Sequence, residues 1–257
     1  MNTNKSFAHV ATVPDLTSVT DKYAFIHTES VEEEVIKAGY AVERRFNPRR
    51  GLGLHGTVFT HPKLPKMPGL DVRIAFYNSH NGTAAQRFVV QIGVGLCANI
   101  LEVDAPEKAL AARIVHRGNA LDRVTEALQR VEAYTEDVVK TIARLQSTQL
   151  SDFQALKFAC DAIDLRNARP FRLESMLHVL HQGQGDNTAW NVLNRVQEAL
   201  IKGGYRTIDE RHPAYPGAKA REVTSIGEKA KINRALWKLM VDCIDQQSKR
   251  EVYNEAL

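Results

Sequence analysis

The stretch LDVRIAFY, at residues 70–77, places an apolar side chain at every second position. Side chains alternate between the two faces of an extended chain, so this pattern predicts a strand with one apolar face and one face that carries Arg73 and Tyr77. Similar alternation predicts further strands at about 40–46, 54–59 and 88–94. Short turns between consecutive strands predict an antiparallel sheet that is packed on one face and solvated on the other, with Arg73, Arg87 and Gln91 off the packed face.

Helical patterns stand on both sides of these strands. Ser30 and Glu33 form a capping-box pattern that predicts a short helix at about 31–38, which Gly39 ends. From Asn119 onward, apolar residues at a three-four spacing predict a helix at about 119–146, which packs on the sheet, on another helix or in an intermolecular coiled coil. Three further helices are expected at about 151–165, 187–202 and 229–245.

The ends of two of these later helices are marked in the sequence. Ser151 opens a second capping box. Asp186 or Asn187 is expected to cap the helix at 187–202, and Gly203 is expected to end it.

The order of elements predicts an α+β fold, in which an N-terminal antiparallel sheet with flanking helices is followed by a helical C-terminal part. We expect a flexible N-terminal tail at 1–18, the sheet with its short helix at 19–118, and the helical region at 119–257. The helical region contains a basic, proline-bearing loop at 205–226, which we expect to be mobile and to become ordered over a bound partner.

The composition is ordinary for a globular protein, with 44% apolar and 25% charged residues among 257. No apolar run reaches the roughly 20 residues of a membrane span, and no signal pattern opens the chain, so we expect a cytoplasmic protein. The three cysteines are widely spaced, which predicts buried thiols and neither a disulfide framework nor a zinc knuckle: Cys97, Cys160 and Cys243.

Charge is unevenly distributed along the chain, although the formal net charge is only +4. Residues 38–100 hold eight basic against two acidic residues (+6), residues 101–200 hold twelve against fourteen (−2), and residues 201–238 hold nine against four (+5). Two basic regions around an acidic middle indicate a nucleic-acid partner more strongly than the total charge does.

Signatures of common enzyme and cofactor sites are absent from the sequence. Gly93 and Gly95 lack the third glycine of a dinucleotide-binding loop, and there is no phosphate loop or nucleophile elbow. His178 and His181 would share a helix face, but no carboxylate stands at metalloprotease spacing. We therefore expect no catalytic residue, no cofactor and no metal.

Several blocks of the chain resemble elements of one family. The C-terminal blocks are DNTAW at 186–190, REVTSI at 221–226 and KINRALW at 231–237. Upstream, NSHNG at 78–82 resembles an Asn-Ser-His-Asp-Gly element, CAN at 97–99 a Cys-x-Asn-Gly turn, and HRG at 116–118 a His-x-Gly element. Over residues 20–240 the chain resembles the phage- and plasmid-borne family catalogued as domain of unknown function 932, including its short prophage members. The positions that carry the resemblance are Asn78, His80, Gly82, His116, Asn187, Trp190, Asn194 and Trp237.

His80 and His116 allow two interpretations. In the first, each histidine serves as a general base or as a hydrogen-bond donor to a phosphate. In the second, the turn at 78–82 is structural, Asn78 and Asn81 close it, and His80 binds a backbone carbonyl. Asn81 and Ile100 depart from the family, which has Asp and Gly there. The departure at Asn81 argues against a metal or acid–base role, and the one at Ile100 against a tight phosphate-binding turn.

Trp190, Asn194 and Gln197 share one face of the helix predicted at 187–202. That face either packs on another helix, with its amides bound to buried backbone groups, or lines a groove with Lys202 and Arg221.

The order helix, antiparallel strands and long helix also resembles the core of phage single-strand annealing proteins such as the lambda beta-type recombinases. We expect a non-enzymatic phage or mobile-element protein of the bacterial host cytoplasm that binds single-stranded DNA, for annealing or as a recombination accessory, and that forms homo-oligomers through the helix at 119–146. Phe46, Phe59 or Tyr77 would stack on bases. The expected nucleic-acid-binding residues are Arg44, Arg45, Arg49, Arg50, Lys63, Lys66, Arg73, Arg87, Lys202, Lys219 and Arg221.

Two other classes of function stay open. One is a protein-interaction module that antagonises a host defence or replication complex through the acidic middle helices. The other is a hydrolase or nuclease that uses His80 and His116.

Overall fold

An antiparallel sheet is the centre of the first half of the chain. The computed structural model describes residues 4–19, 23–48, 51–94, 100–103, 113–114, 122–166, 173–181, 186–203, 205–208 and 216–255. The chain divides into two compact units, Met1–Val139 and Lys140–Leu257. The strands of the first unit are β1 (Ala41–Phe46), β2 (His55–Thr60), β3 (Lys66–Met67), β4 (Leu70–Asn78), β5 (Gln86–Val94), β6 (Ile100–Val103) and β7 (Arg113–Ile114).

The described strands form one sheet in the order β1-β2-β4-β5-β6, with β3 also paired to β4 and β7 to β5. Every pair is antiparallel. The predicted α+β class, with a sheet followed by a helical part, is confirmed. The four strands expected from alternation are β1, β2, β4 and β5.

The apolar core of the first unit lies on one face of β4 and β5. Ile74 pairs with Val90 and Phe76 with Phe88, and these four side chains are at most 1% exposed. The two phenylalanine rings lie 5.1 Å apart. Burying a side chain of this size contributes about 1.5–3 kcal/mol each, so this face is the main source of stability in the unit.

Helix α1 (Thr28–Lys37) was expected to begin at a capping box on Ser30, and this expectation was wrong. The helix begins earlier, and its N-cap, His27, makes no side-chain capping bond. Glu32 is turned into the sheet instead. Its carboxylate accepts hydrogen bonds from Arg45 Nη2 (2.8 Å) and from the hydroxyl of Thr57. Glu32 is not the glutamate of the expected capping box, which is Glu33. The box is absent because Ser30 lies inside α1 and not at its N-cap.

Helix α2 (Asp122–Ser147) matches the long helix expected at 119–146, within the described residues. Its apolar stripe is buried: Val124, Leu128, Val131 and Val138 are at most 3% exposed. Burial within the chain fits packing on the sheet or on another helix, two of the three alternatives expected for this helix, and self-association stays a prediction. Thr135, which interrupts the stripe, donates its hydroxyl to Glu132 O at 2.6 Å and so satisfies its polar group within the helix.

The second unit is helical. It contains α3 (Asp152–Asp164), α4 (Leu173–His181), α5 (Ala189–Lys202) and α6 (Ile226–Glu255), together with a hairpin of β8 (Arg206–Ile208) and β9 (Pro216–Lys219). The hairpin lies inside the stretch that was expected to be a mobile loop, and the expectation of mobility stays a prediction.

The ends of these helices follow the sequence signals in part. Ser151 forms the expected capping box with Gln154, and Gly203 ends α5 in a left-handed conformation (φ 82°). The N-cap of α5 is Thr188, which was not the residue expected. Asp186 accepts hydrogen bonds from Gln149 and from the side chain of Asn191 in the first turn of α5, so it lies next to the helix start without being its N-cap.

Two further expectations concern thiols and membranes. Cys160 and Cys243 are free and half-buried, and Cys97 lies outside the described residues. Among the described helices, none combines the length and the apolar character that crossing a bilayer requires.

Candidate nucleic-acid interface

The face of the sheet opposite the core carries three arginines, one on each of β1, β4 and β5. Strand pairing places them together, because Tyr77 pairs with Arg87, Arg73 with Gln91, and Gln91 with Glu102. Residues paired across a sheet point to the same side. We call this surface the arginine face, made of Arg44, Phe46, Arg73, Tyr77, Arg87, Gln91 and Glu102.

Cationic and aromatic groups form one row across this face. The guanidinium of Arg44 lies 5.1 Å from the centre of the Phe46 ring. That ring stacks on Tyr77 at 5.5 Å with an interplanar angle of 5°. The guanidinium of Arg87 lies 5.2 Å from the Tyr77 ring. The result is a row of two rings between two cations, held by cation–π attraction and stacking.

A glycine on β2 permits this row. Gly56 pairs with Phe46 on one side and with Tyr77 on the other. A Cβ at this position would lie 3.1 Å from each of the two rings and 2.3 Å from the carbonyl of Phe76. The rings close over a position that has no side chain.

The prediction that this face is solvated was wrong at its centre, where Tyr77 and Gln91 are each 1% exposed. Glu102 organises this buried part, because it accepts hydrogen bonds from the Tyr77 hydroxyl and from Gln91 Nε2 (2.9 Å). Burial raises the pKa of Tyr77 well above its usual value, and the carboxylate of Glu102 raises it further. Tyr77 is therefore a neutral hydrogen-bond donor at physiological pH.

The three arginines of the face differ in their pairing. Arg73 forms ion pairs with Glu43 (2.5 Å) and Asp71 (3.3 Å). Among the described residues, Arg44 and Arg87 form no ion pair, and the Nε atom of each is buried without a hydrogen-bond partner. Burial lowers the pKa of Arg44 from its usual value. Two half-buried cations thus keep unused donors.

The other predicted cations of this region lie elsewhere. Arg45 is on the core face, in a bidentate ion pair with Glu32, and its side chain is 10% exposed. Lys63 and Lys66 are exposed in the connection between β2 and β4. Arg49 and Arg50 lie outside the described residues.

The basic residues predicted in the second unit are exposed. Lys202 is paired with Glu198, four residues earlier on α5. Lys219 lies on β9, and Arg221 follows it. The carbonyl of Arg221 accepts a hydrogen bond from the side chain of Arg166.

The NSHNG element belongs to a buried cluster around the hydroxyl of Thr28. That hydroxyl lies 2.7 Å from His55 Nε2 and 3.2 Å from His80 Nε2, and it accepts a hydrogen bond from Asn78 Nδ2 at 2.8 Å. His80 Nε2 is also 3.0 Å from the carbonyl of Ala8. The rings of His9 and His55 are 5.0 Å apart.

This histidine cluster has a structural role in the described chain. His9, His55 and His80 are at most 1% exposed, so a substrate has no access to their rings. Burial lowers the pKa of His55 to about 3 and also lowers that of His9, so both are neutral. Among the described residues, no group of three or more His, Cys, Asp or Glu is placed to hold a metal ion. His116 lies outside them.

Comparison with known proteins agrees with these motifs. The family model described as Domain of unknown function (DUF932) matches residues 15–237. The chain belongs to this family. It is 25% identical to UPF0380 protein YfjQ of Escherichia coli (strain K12) over 228 residues, which cover 86% of this chain and 82% of YfjQ. It is 27% identical to UPF0380 protein YafZ of the same organism over 167 residues, which cover 64% of this chain and 59% of YafZ. No solved structure matches the chain.

The remaining DUF932 motif residues pack the second unit. Trp190 and Trp237 are at most 8% exposed. Asn194 Nδ2 donates to the carbonyl of Trp190 at 2.7 Å, and Gln197 Nε2 on α5 donates to Asn233 Oδ1 on α6 at 2.9 Å. These contacts fit the helix-packing interpretation of this face, with one amide paired across the two helices. Asn187, by contrast, faces a cleft.

Proposed function

We propose that this DUF932 protein binds single-stranded DNA on the arginine face, without catalysing a reaction, and serves the recombination or replication of a phage or mobile element in the bacterial cytoplasm. The row Arg44–Phe46–Tyr77–Arg87 is the observation that carries the proposal. Proteins that hold single strands combine cations for the phosphates with flat groups for the bases.

Phosphate binding is assigned to Arg44 and Arg87. The hydration that half-burial removes from these guanidiniums is compensated only in part, by the rings beside them and, for Arg44, by a hydrogen bond from Nη2 to Gln91 Oε1 at 3.5 Å. A phosphate oxygen would accept further hydrogen bonds from guanidinium nitrogens other than the buried Nε. Arg73 contributes less, because Glu43 and Asp71 already neutralise it.

Base stacking is assigned to the guanidinium planes of Arg44 and Arg87, because Phe46 itself lies between Arg44 and Tyr77 in the row. Phe46 is half-buried, whereas Phe59 is 0% and Tyr77 1% exposed. The expectation that Phe59 or Tyr77 stacks directly on bases is therefore corrected: Tyr77 supports the Phe46 ring from behind. Arginine planes stack on bases as aromatic rings do.

Assembly of several copies along one strand belongs to the same proposal. Linked sites on one DNA strand act at a raised effective concentration, so even a modest site gains affinity.

The test compares two double variants for binding to a labelled oligothymidylate at low salt. Arg44→Gln with Arg87→Gln should weaken binding about tenfold or more, because hydrogen bonds to charged groups contribute about 1.5–3 kcal/mol each. The matched control, Arg123→Gln with Arg130→Gln, removes two exposed charges of α2 and should change affinity by less than about threefold. Equal losses in the two variants would show that net charge alone matters, and unchanged binding in the first would refute the proposal.

A further inference from the structure

A cleft of about 290 Å³ opens among the helices of the second unit. Its floor is apolar and consists of Ala155 on α3 with Leu177 and Leu180 on α4. Its polar wall comes from the ends of three helices and consists of Asp152, His181, Asp186, Asn187 and Arg195. The cleft lies in a different unit from the arginine face, and the inference drawn from it is independent of the proposed function.

The polar wall is fixed by hydrogen bonds among its own members. Arg195 donates from Nη1 to the carbonyl of Leu180 (2.5 Å) and from Nη2 to Asn187 Oδ1 (2.8 Å). Asn187 in turn donates to Asp152 Oδ1 at 2.8 Å. The nitrogens at the end of the arginine are thus used by neutral acceptors, and the nearby carboxylate of Asp186 offsets part of its charge.

Acceptors dominate what the wall presents to a ligand. Hydrogen bonds, of which that from Gln149 is the largest cause, lower the pKa of Asp186, so it is ionised at neutral pH. His181 Nδ1 donates to the carbonyl of Leu177 at 2.6 Å, which leaves Nε2 as the ring nitrogen that can meet a ligand. Asp152 is exposed on the rim and uses one carboxylate oxygen for Asn187. Arg195 Nε is the one buried donor of the wall without a partner among the described residues.

Apolar surface continues beyond the floor. Phe153, the residue after Asp152, is 75% exposed, and Leu177 is 37% exposed. An occupant therefore meets carboxylates and large apolar side chains at the same place.

We propose that this cleft docks a cationic side chain, arginine or lysine, from a segment of a protein partner in which an apolar residue stands beside it. The aliphatic stem of the docked side chain would lie on Leu177 and Leu180, and its cationic head would lie against the carboxylates of Asp152 and Asp186. The apolar neighbour would cover Phe153. Charge complementarity favours this occupant over an acidic one, because the wall holds two carboxylates against the one guanidinium of Arg195.

The test titrates three tripeptides into the isotopically labelled full-length chain and follows backbone amide signals. The probes are acetyl-Leu-Arg-Leu-amide, its citrulline analogue, which has the same shape without the charge, and its glutamate analogue. The arginine peptide should shift signals at 152–155, 177–181 and 186–195 with millimolar affinity. The citrulline peptide should bind about tenfold more weakly, and the glutamate peptide should leave the signals unchanged.

Variants separate the charge from the fold. Asp152→Asn with Asp186→Asn should weaken binding of the arginine peptide about tenfold, whereas Asp161→Asn with Asp164→Asn, which removes two charges from the far end of α3, should leave it unchanged. Asp152→Asn alone preserves the Ser151–Gln154 capping box and should give an intermediate loss with an otherwise unchanged spectrum. Equal binding of the arginine and citrulline peptides, or undiminished binding by the first double variant, would overturn the proposal.

Discussion

Three histidines in the first unit, His9, His55 and His80, are buried together, and the hydrogen bonds of His55 need an uncharged ring. His55 has one nitrogen 2.8 Å from the carbonyl of Gly53 and the other 2.7 Å from the hydroxyl of Thr28. In the neutral ring the first nitrogen donates and the second accepts. Protonation would turn the acceptor into a donor and place a charge beside His9 and His80, both buried within 5.0 Å.

The histidine cluster should make the protein sensitive to mild acid. The pKa of histidine is about 6.5 in an unfolded chain, whereas burial lowers that of His55 to about 3 in the folded chain. Below pH 6.5 the unfolded chain therefore binds more protons than the folded chain. The contribution of His55 to the free energy of unfolding is complete above that pH and declines as the pH falls toward 3. Between pH 7 and pH 5, His55 alone should lower the free energy of unfolding by about 2 kcal/mol.

Urea unfolding at the two pH values measures this loss. His55→Gln removes the titrating group, so its free energy of unfolding should fall less between pH 7 and pH 5 than that of the wild type. The lowered pKa of His9 acts in the same direction and is retained in both proteins. An equal fall in wild type and variant would contradict the assignment to His55.

Individual residues also show what the sequence could not reveal. Arg73 and Arg87 were placed correctly off the core face, because alternation fixes the face of a strand residue. Glu102 could not be foreseen, since its place beside Tyr77 depends on the register of β5 with β6. Glu32 forms an ion pair across 13 residues with Arg45, which no local pattern encodes.

At the scale of elements, the end of α5 depends on one glycine. Gly203 has φ 82°, and a Cβ there would lie 2.0 Å from the carbonyl oxygen of Ala220, which belongs to the backbone that follows β9. The next residues are tied to the same backbone, because Ala220 N donates to Tyr205 O at 3.0 Å and Val223 N to Ile201 O at 2.8 Å. The hairpin thus closes directly over the helix end.

Gly203→Ala should lower the free energy of unfolding by about 3 kcal/mol or more, the sum of left-handed strain of about 1–2 kcal/mol and a backbone clash. Gly69→Ala is the matched control, since Gly69 also has a positive φ (72°) but no atom within 4 Å of its Cβ position. The control should lose about 1–2 kcal/mol, the strain alone. Thermal or urea unfolding of both variants measures the difference, and equal losses would show that the approach of Ala220 costs nothing.

Helices and strands whose apolar residues repeat regularly over many positions were predicted well, and short or edge elements were not. The four strands with clear alternation and helices α2, α3, α5 and α6 appear near their expected positions. Strand β6 has four residues, and β8 and β9 lie in a stretch in which Pro213 and Pro216 signal a loop. Such strands form because a neighbour offers free backbone groups, and this is tertiary information.

At the scale of the molecule, charge counted along the sequence overstates what one surface presents. Of the eight cations between residues 38 and 100, Arg45 is paired with Glu32 at the core face, and Arg73 is paired with two carboxylates. Arg44 and Arg87, with the exposed Lys63 and Lys66, remain for phosphates among the described residues. The proposed site therefore offers about four phosphate contacts, fewer than the eight cations of this stretch.

Salt dependence counts these contacts. Each phosphate contact of a single strand contributes a slope of about −0.7 in the logarithm of affinity against the logarithm of salt concentration, so about four contacts predict a slope near −3. The double variant Arg44→Gln with Arg87→Gln should reduce the slope by about 1.4, and Lys63→Gln with Lys66→Gln should do the same if the exposed lysines also reach the strand. Binding titrations at several salt concentrations measure all three slopes. A wild-type slope near zero, or no binding of DNA at low salt, would remove nucleic acid as the partner of the arginine face and favour the protein-interaction class.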